Sequence, residues 1–166
     1  MKLNKKLGFT LVELLVVIGI LGILAAGLLA TIDPFEQLKK GRDATLRNTV
    51  AELADAVTRY NADKGQMPWG TEDYAAAQMG AFYTDGYLSD LINIGELKAG
   101  FWDAAKGNAH RVYIGGSADT VSVCFDPESK AVRQDQNTRY GSEGSTLGDA
   151  DIANCITSGL CFWCVK

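Results

Sequence analysis

The chain has 166 residues, with 16 Lys+Arg against 20 Asp+Glu, one histidine and a formal net charge of −4. That length suits one globular unit with an appendage and excludes two independent cores. The basic residues form no run beyond short pairs, so no phosphate-neutralising surface is present, which argues against nucleic acid as a main partner.

Residues 9–32 read FTLVELLVVIGILGILAAGLLATI, and from Leu14 to Ala30 no side chain is charged or able to hydrogen-bond. A helix of about 20 apolar residues crosses a hydrocarbon core of about 30 Å. Lys2, Lys5 and Lys6 precede the run, so the short leader is expected in the cytoplasm and the remainder on the far side. The competing reading, a secretory signal peptide, expects an apolar core of about 7–15 residues and a small-residue cleavage site. Here the run is longer, and Ala25 to Gly27 matches such a site only weakly. Gly19 and Gly22 are three apart, so they do not form a G-x-x-x-G pattern and read as close-packing positions. Glu13 stands alone in the apolar run, where a carboxylate is costly unless it snorkels to the interface, is protonated or finds a partner.

The stretch Lys5-Lys6-Leu7-Gly8-Phe9-Thr10-Leu11-Val12-Glu13-Leu14 resembles the processing signature of type IV prepilins and of the pseudopilins of type II secretion. The resemblance is strong over residues 1–60. It implies cleavage between Gly8 and Phe9 by a membrane prepilin peptidase, N-methylation of the new Phe9 amine, and use of Glu13 in assembly. Opposite charges about 4 Å apart attract strongly where the dielectric is low, so the amine of a neighbouring subunit suits Glu13. Further implied partners are copies of the chain and other pilins in a helical filament, an inner-membrane assembly platform and the lipid bilayer. The precursor would be a single-pass membrane protein, and the mature form part of a cell-surface or periplasmic filament.

Asp33-Pro34 ends the apolar run and predicts a kink or break near Ile32. Beyond it Leu38, Leu46, Val50, Leu53, Ala54, Val57 and Tyr60 recur at helical spacing, with Arg42, Asp43, Arg47, Glu52, Asp55 and Arg59 between them. That pattern is an amphipathic helix with one buried face. Lys64 to Gly70 contains the Gly and Pro of a stop. A helical piece is expected near Asp73 to Met79 and a short one near Ser89 to Leu91. Arg111–Ile114, Thr120–Phe125 and Lys130–Gln134 read as strands, with turns at Gly115-Gly116 and Asp126-Pro127-Glu128. Val112, Ile114, Val121 and Val123 or their alternates would be buried. The expected fold is α+β, a long helical spine packed on a small antiparallel sheet of about three strands, with a disulfide-rich C-terminal loop. Its expected organisation is a leader over residues 1–8, a transmembrane or filament-core helix over 9–32, an amphipathic helix over 33–63 and an extracytoplasmic head over 64–166.

All four cysteines, Cys124, Cys155, Cys161 and Cys164, lie in the last quarter of the chain, an even number in a region expected outside the cytoplasm. Disulfides fit best, in any of three pairings. A zinc site is the alternative, but only Cys161-x-x-Cys164 has the paired spacing. A thioredoxin-like role for that pair lacks its βαβ setting. Residues 140–152 gather oxygen ligands in a glycine-rich loop, the chemistry calcium takes. The loop is similar to the calcium-binding loop of major pseudopilins but carries Glu143 at an acidic position and a shorter spacer. Glu143, Asp149 and Asp151 are therefore calcium candidates beside the reading of a solvated acidic turn, and no other cofactor is indicated.

His110 is the single histidine and reads as an exposed strand-edge residue; no nucleophile elbow or phosphate loop is present. Three functions remain in order: a filament subunit, a monomeric membrane-tethered binding module, and an anchored hydrolase.

Overall fold

The computed structural model describes residues 8–31, 33–148, 152 and 161–166. The chain divides into two units at Phe35 and Glu36, each described by itself below.

The first unit is dominated by helix α1, Leu11–Thr31. A 21-residue helix extends about 30 Å, and its segment Leu11–Leu29 has a mean hydropathy of 2.7 with none of it buried inside the chain. Apolar side chains face outward all round, the pattern of a helix whose partners are lipid or other helices. Thr31 is its last residue, and helix α2, Pro34–Lys64, begins three positions later. Ile32, where the break is expected, lies outside the described residues. Asp33 and Pro34 also start the next helix. Asp33 Oδ1 accepts the Phe35 N–H at 3.1 Å as an N-cap, and Pro34 takes the first helical position, where a missing N–H costs nothing.

The second unit is α+β. From α2 the residues Leu46, Val50, Leu53, Ala54, Ala56 and Val57 enter a core shared with Val112, Ile114, Val121, Val123, Phe125 and Trp163 of the sheet. Two residues depart from the expected face. Leu38 is 62% exposed, because the core begins at Leu46, about two helical turns further on. Asp43, expected among the solvated charges, is fully buried. Helix α2 ends where Gly65 turns to φ +70 and its N–H meets Asn61 O at 2.8 Å, the left-handed stop glycine permits.

Five antiparallel strands, rather than about three, form the sheet in the order β1-β2-β3-β5-β4. They are β1 Tyr74–Gln78, β2 Val112–Gly116, β3 Val121–Phe125, β4 Thr138–Tyr140 and β5 Phe162–Val165. Between β1 and β2 lie three short helices, α3 Met79–Thr84, α4 Tyr87–Asn93 and α5 Phe101–Ala105, and a 3-10 turn, Lys106–Arg111. Residues 74–78 are a strand where a helix is expected: tertiary pairing with β2 overrides the helix preference of three alanines. The helix starts only at Met79, whose buried side chain joins the core with Phe82. Residues 130–133 are the reverse case, a helical turn α6 (Lys130–Arg133) in place of a strand. Ser129 Oγ accepts the Val132 N–H at 3.3 Å as its N-cap. The predicted helix around Ser89 falls inside α4, and β2 and β3 match their predicted runs closely.

Candidate processing and assembly site

Gly8 and Phe9 precede α1 in exposed chain without regular secondary structure, with Phe9 80% exposed. Thr10 is the residue before the helix and Glu13 its third residue. The Glu13 carboxylate accepts the Thr10 backbone N–H at 2.9 Å and its hydroxyl at 2.7 Å, while Thr10 Oγ1 accepts the Glu13 N–H at 3.2 Å. This reciprocal pair is a capping box, which satisfies helix-start donors that have no partner within the helix. Negative charge is also favoured at the positive N-terminal end of a helix. In the isolated chain the lone acid of the apolar run is therefore held by its own first turn. The same side chain stays exposed and close to the Gly8-Phe9 junction in sequence.

Residues 3–29 match the family profile described as the prokaryotic N-terminal methylation motif. The chain carries a prepilin-type methylation motif. With the apolar helix that follows, it fits a type IV pilin or pseudopilin, made as a membrane-anchored precursor. The match spans the junction and most of α1 and leaves the head outside it. No curated protein and no solved structure gave a match to this chain.

In the head, Cys124 and Cys164 form a disulfide between directly opposed residues of β3 and β5, with Cα atoms 4.1 Å apart. Cys161 is also disulfide-bonded, and Cys155 lies outside the described residues. The Cys124–Cys164 bond sits on the sheet face opposite the α2 core, where Ser122 of β3 meets the loop after β4. That loop is seated closely: a side chain on Gly144, at φ +78, would collide with the Ser122 hydroxyl.

Of the calcium candidates, Glu143 lies in this loop, and Asp149 and Asp151 lie outside the described residues. Glu143 accepts hydrogen bonds from the Ser142 hydroxyl at 3.3 Å and from the Ser145 hydroxyl. The Ser145 bond, foremost, holds its carboxyl below the ordinary value. Backbone bonds Gly141 N to Ser145 O, 2.9 Å, and Gly144 N to Gly141 O, 3.0 Å, close the turn. Among the described residues, no three acidic, histidine or cysteine side chains converge as a metal site. His110 is exposed in the 3-10 turn, one residue short of the strand, and its carbonyl accepts Gln78 Nε2 at 3.0 Å.

The head's principal polar feature has no motif. Asp43 Oδ1 meets Arg111 Nη2 at 3.0 Å and the Glu128 N–H at 3.0 Å, and Oδ2 accepts the Ser129 N–H at 2.7 Å. Arg111 Nη2 also donates to the Asp126 carbonyl, and Nη1 lies 2.9 Å from Glu128 Oε1 as an ion pair whose angle falls outside a hydrogen bond. On the rim, Arg42 Nη2 holds Glu128 Oε2 at 2.6 Å. The network ties α2 to the start of β2 and to the 126–129 turn. Its one signal in the sequence is an aspartate three positions before Leu46 and seven before Val50, on the buried-face register, which amphipathic patterning assigns to solvent.

Proposed function

We propose that this chain is a structural subunit of a type IV pilus or a type II secretion pseudopilus. It is made as a membrane-anchored prepilin, cleaved after Gly8, N-methylated at Phe9 and assembled through α1. The observation that carries this reading is an all-round apolar helix with one acid, Glu13, directly behind the Gly8-Phe9 junction of the matched motif. Cleavage frees an amine at Phe9, and Glu13 exchanges its Thr10 partners for the amine of an adjacent subunit as the helices bundle. Repetition of one heterologous contact then extends the assembly without closure. Prepilin peptidase, an inner-membrane platform and further copies of pilins are its partners. The role is structural, not catalytic.

Calcium is a secondary part of the proposal: Glu143 with Asp149 and Asp151 would take the ion by releasing the Ser142 and Ser145 hydroxyls, so calcium should raise the melting temperature of the head and a chelator lower it.

Intact-mass and N-terminal peptide mass spectrometry on native membranes and on sheared surface material tests the main reading. A mature species starting at methylated Phe9 and abundant in an extracellular or periplasmic filament fraction is expected. Protein that keeps residues 1–8 and stays dispersed in the membrane would favour a tethered binding module.

A further inference from the structure

Two of the aromatic groupings in the head flank the short helices between β1 and β2. Trp69, Tyr74, Phe82 and Tyr87 interlock at ring-centroid separations of 5.3 to 6.3 Å and form or line the core. Tyr83 and Trp102 stand apart from that cluster. Their rings stack face to face at 4.1 Å and 3° between planes, with Tyr83 38% exposed. They wall a surface cleft of about 300 Å³ together with Ser89, Ile92, Asn93 and Asp103. Among the described residues, the Ser89 hydroxyl and the Asn93 amide have no hydrogen-bond partner. Asp103 holds Lys106 Nζ on Oδ1 at 2.8 Å, which leaves its second oxygen available.

This combination has a specific chemical complement. Flat aromatic surface takes an apolar C–H face by dispersion and quadrupole attraction. An amide, a hydroxyl and a carboxylate beside it can both donate to and accept from hydroxyl groups. A pyranose ring carries one such C–H face and a rim of equatorial hydroxyls. We propose that the Tyr83–Trp102 cleft binds a neutral pyranose unit, its ring face on the outer, unstacked side of the aromatic pair and its hydroxyls on Asn93, Ser89 and Asp103. Neutrality follows from Asp103, which would repel a sugar acid. A protein partner fits less well, since a stable protein interface covers about 800 Å² on each side, whereas this cleft is at the small end of ligand-site volumes, about 300–1,000 Å³.

The test is saturation-transfer NMR and calorimetry on the full chain, in a detergent without a sugar headgroup. The probes are oligosaccharides of glucose, of galactose and of N-acetylglucosamine, and glucuronic acid as the charged control. Expected are saturation of ring protons on one face of at least one neutral probe at about millimolar affinity, and none for glucuronic acid. Tyr83→Ala should weaken binding at least ~10-fold, about 1.4 kcal/mol, while Tyr83→Phe keeps it, because the ring face carries the contact. Since Trp102 packs partly on the core, Asn93→Ala replaces it as the second variant and should weaken binding several-fold at unchanged melting temperature. Absence of binding for every neutral probe, or a Tyr83→Ala chain that binds like the parent, overturns the proposal. So does a Tyr83→Ala chain that binds no less sugar but yields less sheared filament, which would assign the pair to contact between subunits. The sugar-binding readouts do not require processing or assembly, so failure of the sugar site and failure of the filament reading are separable.

Discussion

Asp43 of α2 and Arg111 at the entrance to β2 meet at 3.0 Å in the interior, 68 positions apart in the chain. Asp43 is fully buried and Arg111 is 6% exposed, so each is the other's main compensation for lost water. Removing one partner strands the other. Arg111→Ala should destabilise the head by about 3 kcal/mol or more, and Asp43→Asn by a comparable amount. In a double-mutant cycle followed by urea unfolding the two losses should be strongly non-additive; additive losses would show that the pair acts through packing alone.

Asp126 sits in the same turn, where burial pushes its carboxyl up even though Arg111 and Arg133 draw it down. Among the described residues its Oδ1 has no hydrogen-bond partner. The folded state thus holds the proton more tightly than the unfolded chain does. The associated stability is complete below the unfolded carboxylate value of about 4 and is lost as pH rises through the higher folded value. Asp126→Asn removes this dependence, so its melting temperature relative to the parent should climb between about pH 3 and 7. A difference that shrinks with rising pH would contradict the assignment.

The Cys124–Cys164 bridge closes a sequence separation of 40 residues. Chain-entropy reasoning gives about 3–4 kcal/mol for a loop of that size. The double variant Cys124→Ser/Cys164→Ser, which leaves no unpaired thiol at these positions, should lose about that much in equilibrium unfolding. Hydrogen exchange should then show β5 and β4 opening before β2 and β3.

Gly144→Ala should lower the melting temperature for two separable reasons, the left-handed φ and the collision with Ser122. Adding Ser122→Gly should recover the steric part and leave about 1 kcal/mol of backbone strain. Full recovery by the second substitution would remove strain from the account.

At the other end of the molecule, Glu13→Ala should still insert and lose its leader, yet yield little sheared filament. Quantitative immunoblots of membrane and sheared fractions, with the N-terminal peptide mass alongside, measure both steps. Normal filament yield would remove Glu13 from assembly.

Long, one-rule elements were legible in the sequence. The apolar run of α1 and the buried stripe of α2 follow from composition and a 3.6-residue period, and β2 and β3 from β-branched runs bounded by turn residues. The errors fall where distant partners decide. Tyr74–Gln78 is a strand because β2 pairs with it, and Lys130–Arg133 is helical because Ser129, itself fixed by Asp43, caps it. Strand β4, three residues long, and β5, with its cysteine, carry too little pattern to stand out. At the N-terminal site the residues were legible from a local motif. The capping box that holds Glu13 was readable as Thr10-x-x-Glu13, a spacing that the assembly role of the acid overshadowed.

The sheet order has a bearing on how the protein is delivered. Strand β5, at the chain's end, lies between β3 and β4, so β4 has no seat in the sheet until Phe162–Val165 arrive. The head is therefore closed out of sequence order: β4 leaves the ribosome or a translocation channel before β5, yet can be seated only after it. Until then β3 presents an open edge, a ready template for the wrong strand. A chain lacking β5 would leave a head that is unclosed rather than slightly trimmed, with the edge of β3 exposed.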